Sequence, residues 1–205
     1  MDISTFTPEL RETAHFGRIH DVCFPRASSE IFVTASEQDI RVWSAKKKQE
    51  LLRIDVPNVT CYAIDVTDSG QSIVSGWSDG KIRSFFPESG RLQFVIPDAH
   101  EEAVRSLAIV KGGDCDREED RPWQILSGGG DGRVRVWRIC EKHQVMLHSM
   151  KEHRGSVNSI VCNSDGSQAV SASADGSCIV WNIEKGVRIT AVSVLECASL
   201  SFTLH

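Results

Sequence analysis

The sequence predicts an all-β fold made of four consecutive blades of a β-propeller, an open partial ring. Three observations predict it. One phrase recurs four times: a hydroxyl, a turn with an acidic residue, then a β-prone run closed by an aromatic. The copies occupy 34–43 (TASEQDIRVW), 75–85 (SGWSDGKIRSF), 127–137 (SGGGDGRVRVW) and 171–181 (SASADGSCIVW). Their closing aromatics lie 42, 52 and 44 residues apart, the spacing of one four-stranded unit per repeat. The alternation in VRVW and IRSF, punctuated by Asp-Gly and Ser-Gly, describes short antiparallel strands, with no amphipathic helix among them.

Each part of the phrase has a physical reason. In the last three copies Asp79, Asp131 and Asp175 precede a glycine, and Asp-Gly supplies the positive φ of a tight hairpin turn. Upstream, three copies carry a histidine: His15, His100 and His153. A chain from His through Ser or Thr to Trp, with Asp fixing the imidazole tautomer, ties the strands of a blade through a buried network whose members are all satisfied. This groups His15, Thr34, Asp39 and Trp43; His100, Ser127, Asp131 and Trp137; and His153, Ser171, Asp175 and Trp181. A period in the low forties closing this way is the mark of WD-repeat blades. The second copy, with Ser75, Asp79 and Phe85, has no histidine, and Phe85 has no N–H to donate. That blade is expected to rest on packing alone and to be locally softer.

In chain order, 1–14 reads as the outer strand of a preceding blade, with its strand over 6–12. Blade one spans 15–55. Its turn, Glu37, Gln38 and Asp39, is one residue shorter than the Asp-Gly turns. Blade two spans 56–98 and blade three 99–151. His100 and Trp137 are 37 residues apart, against 28 for both His15 to Trp43 and His153 to Trp181, so blade three holds an insertion, placed at 111–123 (KGGDCDREEDRPW). Blade four spans 152–194, with an outer strand docked over about 187–194, and 195–205 is a divergent tail. A four-blade arc exposes a blade face at each end, an association hazard.

Composition excludes several function classes. A net charge of -5 and a pI near 5.8 lack the basic footprint of a nucleic-acid binder. No apolar run approaches the length of a membrane span, and the first ten residues lack the basic start and apolar centre of a signal peptide, so a cytosolic setting is expected. The 7 cysteines are scattered, as in a reduced compartment. Cys23, Cys61, Cys162 and Cys178 sit in apolar alternation and read as small buried hydrophobes.

Candidate chemistry fails on spacing. A calcium loop counted from Asp114 needs Gly sixth and Glu twelfth, where the chain has Glu119 and Ile125. The glycines Gly128, Gly129, Gly130 and Gly132 are followed by Arg133 and Val134, not by the Lys-Ser/Thr of a phosphate cradle. His143, His148 and His153 match no zinc spacing. A hydroxyl buried in a structural network leaves no exposed nucleophile. Lys46, Lys47 and Lys48 read as a solvated loop. The reading is of a non-enzyme with no cofactor, no metal and no small-molecule substrate. Trp77 lies at a hairpin turn where the third and fourth copies have Gly129 and Ser173; it is either a partner-binding anchor or a packing residue.

A narrower resemblance rests on particular wording: ELLRIDVPNVTCYAID, QSIVSGWSDGKIRSF with PESGRL, ILSGGGDGRVRVW and KEHRGSV. These segments resemble the cilia- and flagella-associated WD-repeat family of the axonemal doublet microtubule lumen, the WD repeat-containing protein sixteen family. The resemblance covers 6–184, part of the second of two tandem propellers. It implies a microtubule inner protein in the cilium or flagellum, contacting tubulin and other doublet proteins and reinforcing the doublet wall. A longer 111–123 and a divergent 185–205 depart from that family. The blade grammar alone fits another class, a generic WD adaptor such as a ubiquitin-ligase substrate receptor or signalling scaffold.

Overall fold

A computed structural model describes residues 15, 17–25, 30–110, 123–140 and 143–193. The strand expected at 6–12, the acidic insertion up to 122 and the tail at 195–205 lie outside the described residues. The described residues form four separate four-stranded antiparallel sheets, each in chain order. Blade one holds β1 (Ile19–Cys23), β2 (Ile31–Ser36), β3 (Asp39–Ser44) and β4 (Gln49–Asp55). Blade two holds β5 (Cys61–Val66), β6 (Ile73–Trp77), β7 (Ile82–Phe85) and β8 (Leu92–Ile96). Blade three holds β9 (Val104–Val110), β10 (Trp123–Gly129), β11 (Arg133–Ile139) and β12 (Gln144–Lys151). Blade four holds β13 (Val157–Cys162), β14 (Gln168–Ser173), β15 (Ser177–Asn182) and β16 (Val187–Ser193).

The Asp-Gly turns form as their chemistry dictates. Gly80, Gly132 and Gly176 hold φ at 74°, 72° and 80°, a region closed to most side chains. The preceding carboxylates accept the N–H two residues on, Asp131 from Arg133 at 3.1 Å and Asp175 from Ser177 at 2.9 Å.

Equivalent positions follow from register. The closing aromatic pairs with the first member of the sets Phe32↔Trp43, Ile73↔Phe85, Ile125↔Trp137 and Ala169↔Trp181. The next pair is Val33↔Val42, Val74↔Ser84, Leu126↔Val136 and Val170↔Val180. Every outer strand then breaks register beside the aromatic, leaving Leu51, Gln93, Leu147 and Ile189 unpaired. Such a bulge raises local twist.

Apolar clusters join consecutive blades. Val33, Ala35, Ile40 and Val42 of blade one pack with Cys61, Ile73 and Phe85 of blade two. Val74 and Ile82 of blade two pack with Ile125 and Trp137 of blade three. Leu126, Val134 and Val136 of blade three pack with Ala169, Ile179 and Trp181 of blade four. In each case the aromatic face of one blade meets the aliphatic face of the blade before it, where burial of apolar area supplies the main stabilisation. Two carboxylates staple the inner strands: Asp21 accepts the Ile64 N–H at 2.9 Å and Asp65 the Ile109 N–H at 2.8 Å. Cys178 departs from its sequence reading. It is exposed, because it lies on the blade-four face that no blade among the described residues covers.

Candidate functional site

Three blades assemble the four-part network. In blade three Trp137 Nε1 donates to Ser127 Oγ at 3.0 Å, Ser127 Oγ meets His100 Nε2 at 2.8 Å, and His100 Nδ1 meets Asp131 Oδ1 at 2.9 Å. Asp131 is an acceptor, so Nδ1 carries the proton. Nε2 therefore accepts from the serine, and every hydrogen points from indole to carboxylate. Blade four repeats the chain through Trp181, Ser171, His153 and Asp175, at 2.8, 2.7 and 3.2 Å. Blade one repeats it through Trp43, Thr34, His15 and Asp39, at 2.8, 2.6 and 2.5 Å. Asp39 comes from the strand side of its shorter turn and also receives Ser36 Oγ and Arg41 Nε.

Burial determines the charge states. Burial alone raises the Asp131 carboxyl, but the hydrogen bond from His100 and those from the Arg133 and Glu101 N–H groups outweigh it and hold its pKa at about 2. Burial depresses the His100 pKa, more than Asp131 raises it. The blade-three network is thus neutral His100 with ionised Asp131.

Blade two decides between the two readings of Trp77 and corrects the expectation that it rests on packing alone. Trp77 is completely buried at the end of β6, so it is not an anchor displayed at a loop tip. Its Nε1 donates to Ser75 Oγ at 2.8 Å, and Ser75 Oγ donates to the Arg83 carbonyl at 3.0 Å. The blade therefore does not rest on packing alone. Register explains the exchange. His15, His100 and His153 stand at one spacing ahead of Ile19, Val104 and Val157, the first paired residues of their inner strands; ahead of Cys61 that position is Pro57. Trp77 is the equivalent of Gly129, where an added Cβ would collide with the His100 ring. The indole fills the volume that an imidazole fills elsewhere. Phe85 packs in the core between blades one and two. Asp79 turns to Arg83 instead, at 2.7 Å, and Arg83 lies over the Trp77 ring at 5.3 Å. The sequence carried this signal: an absent histidine together with a large aromatic where other blades keep Ser36, Gly129 and Ser173.

Sequence reasoning missed the inner-strand bulges. His20, Tyr62, Arg105 and Asn158 are the extra residues where each inner strand shifts register. They line one axial cleft of about 300 Å³, with His20 edge-on to Tyr62 at 5.1 Å and the Arg105 guanidinium 4.5 Å above the Tyr62 ring. His143 is exposed, and His148 meets the Glu184 carbonyl at 3.0 Å; neither joins His153. Burial pushes the Cys23 thiol up to about 12, helped by Asp65, and burial also raises Cys61, so both stay protonated.

Four repeated sheets, each anchored by an indole on a hydroxyl, define a WD-repeat β-propeller array. The family model described as WD domain, G-beta repeat, matches residues 90–138 and 144–182. The chain is 41% identical over 200 residues to cilia- and flagella-associated protein 52 of Mus musculus, covering 96% of this chain and 31% of that protein. It is 46% identical over 189 residues to the Chlamydomonas reinhardtii protein of the same name, covering 92% and 29%. WD repeat-containing protein 90 of Xenopus tropicalis is 24% identical over 186 residues, covering 82% and 9%. The chain thus spans less than a third of the length of the first two relatives.

Proposed function

We propose that this chain acts in the cilium or flagellum as a non-catalytic scaffold, a microtubule inner protein that reinforces the axonemal doublet. The observation that carries the reading is an identity of 40 and 46% to the proteins named cilia- and flagella-associated protein 52 of Homo sapiens and Chlamydomonas reinhardtii, across nearly the whole chain. The geometry supports it: each hydroxyl, imidazole and carboxylate of the repeated motif is spent on another member of the same blade. Tubulin and neighbouring doublet proteins are the proposed partners. Blade identity supports a rigid array that presents surfaces.

Mass spectrometry of salt-washed axonemes tests this. Peptides unique to this chain should remain after the wash, in a fixed ratio to tubulin. Their complete release into the soluble fraction with a changing set of partners would replace the scaffold reading with that of a soluble adaptor.

A further inference from the structure

The outer seam between blades one and two carries exposed apolar side chains where the equivalent seam between blades three and four carries polar groups that hold one another. The residue after the closing aromatic opens the turn into the outer strand. In blades one and four it is Ser44 or Asn182, whose side-chain oxygen accepts the N–H three residues on, from Lys47 at 3.0 Å and from Lys185 at 2.8 Å. Ser and Asn commonly close turns in this way. Blade two has Phe86 there, 42% exposed, and the Ser89 N–H reaches only the Phe86 carbonyl, at 3.4 Å. The residue opposite the closing aromatic departs likewise: Glu50 and Arg188 pair with Arg53 and Glu152, whereas Leu92 is 52% exposed. The blade-two turn sits on blade one, since a Cβ on Gly90 would lie 3.2 Å from Ile54 and 3.5 Å from Leu52. Beside Leu52 the bulged Leu51 is 48% exposed. At the other seam Gly186 packs instead on His148, which bonds the Glu184 carbonyl. The patch is internal to the array, with described blades forming both of its walls.

We propose that this patch docks an acidic amphipathic segment of another protein, its apolar side chains seated on Phe86, Leu92 and Leu51. A phenyl group that takes the place of a turn cap and stays in solvent does nothing for its own turn, and exposed apolar clusters of this kind are interface anchors. Charge sets the sign of the partner. The turns at this end of the seam present Lys46, Lys47 and Arg91, exposed and in no ion pair among the described residues, against the exposed carboxylate of Glu88. A local excess of cations in a chain of net charge -5 attracts and orients an acidic surface. Register sets the form. The bulge at Gln93 breaks the β8 ladder, so the partner is held through side chains, as a helix lays its apolar face in a groove, and not as an added strand. The proposal rests on the scaffold reading for its premise that the chain holds partners; the ciliary setting is tested apart from it, by the axoneme wash.

The test adds a fluorescein-labelled synthetic peptide, with leucine at every third or fourth position and glutamate between, to the 205-residue chain and reads anisotropy. Binding should saturate and weaken with added salt. Phe86→Asn separates docking from folding, because asparagine restores the side-chain cap that blade four has. Its urea midpoint should hold or rise, while its affinity for the peptide should fall at least about tenfold, the loss of one interface anchor. Lys46→Glu combined with Lys47→Glu should also weaken binding and flatten its salt dependence. The same peptide with lysine in place of glutamate should not bind, and Met146→Ser, on the rim of blade three, should leave binding unchanged. Absence of binding, or binding indifferent to Phe86→Asn, would overturn the proposal. A lower urea midpoint for Phe86→Asn would make Phe86 a structural residue and overturn it too. A rise of mass with concentration, read by light scattering and abolished by Phe86→Asn, would assign the patch to a second copy of this chain instead.

Discussion

Blade three and blade two meet one requirement with different side chains. Both must keep a buried serine satisfied beneath the turn. Blade three uses an indole from β11 and an imidazole from the entry loop, ending on a carboxylate. Blade two brings its indole from β6, fills the imidazole's space with it, and ends on the Arg83 carbonyl. The requirement is a filled slot and a donor for the hydroxyl; histidine is one solution. Exchange is possible because a small residue at 129 leaves room for the ring, whereas Pro57 in blade two supplies no imidazole to hydrogen-bond the serine.

The largest effect should come from emptying the slot. Trp77→Ala removes a fully buried indole and the donor to Ser75, and should cost about 3–5 kcal/mol. Urea midpoints check this; a loss below about 1 kcal/mol, the worth of one ordinary hydrogen bond, would mean the slot is not tightly filled. The converse is to overfill it. Gly129→Trp drives a side chain into His100 and should cost about 3 kcal/mol. Combined with His100→Ala, the same change should cost less than the sum of the two, because the indole then has space. Simple additivity in that cycle would sink the idea that the two rings share one volume.

Breaking a histidine chain should matter less. His153→Ala leaves Ser171 and Asp175 short of a partner and should cost about 1–3 kcal/mol. The exposed His143→Ala should change stability by less than about 0.5 kcal/mol, and equal midpoints for these two variants would contradict the network assignment.

Acid should separate the two blades more gently. His100 has a depressed pKa in the fold, so below about 6.5 the unfolded chain takes up a proton that the folded chain refuses. Stability of blade three therefore declines as pH falls through that value. Asp131, held at about 2, adds a further decline from about pH 4 downward, since its contribution is complete above its unfolded pKa of about 3.9. Asp79 is also lowered, by its Arg83 pairing against burial, so blade two joins the decline only in that lower window. Between about pH 6.5 and 4.5, amide exchange should quicken in β10 before β6. Simultaneous loss in the two strands would remove the distinction.

Much of this architecture could be read along the chain because it rests on local chemistry. Asp-Gly turns, alternating strands and the spacing from hydroxyl to aromatic are all set within one hairpin, and the three histidine chains follow from those spacings. Trp77 was legible only in part. Its place two residues after Ser75 suggested a turn, yet which way the indole points depends on a space created by the loss of a histidine elsewhere in the blade. The staples from Asp21 and Asp65 were not legible, because they bridge blades through backbone N–H groups that leave no mark in residue identity. Cys178 misled for a related reason: alternation places it on an apolar face, but not against a neighbour.

The crimp in each outer strand has a bearing on how the molecule can assemble. A straight outer strand presents a ladder of unused N–H and C=O groups, an invitation to edge-to-edge fibre growth. At Leu51, Gln93, Leu147 and Ile189 that ladder is thrown out of phase on every spoke. A foreign strand arriving at the circumference finds matching groups for only a few residues before the phase is lost. The perimeter thus discourages amyloid-like polymorphs even though its side chains are partly apolar.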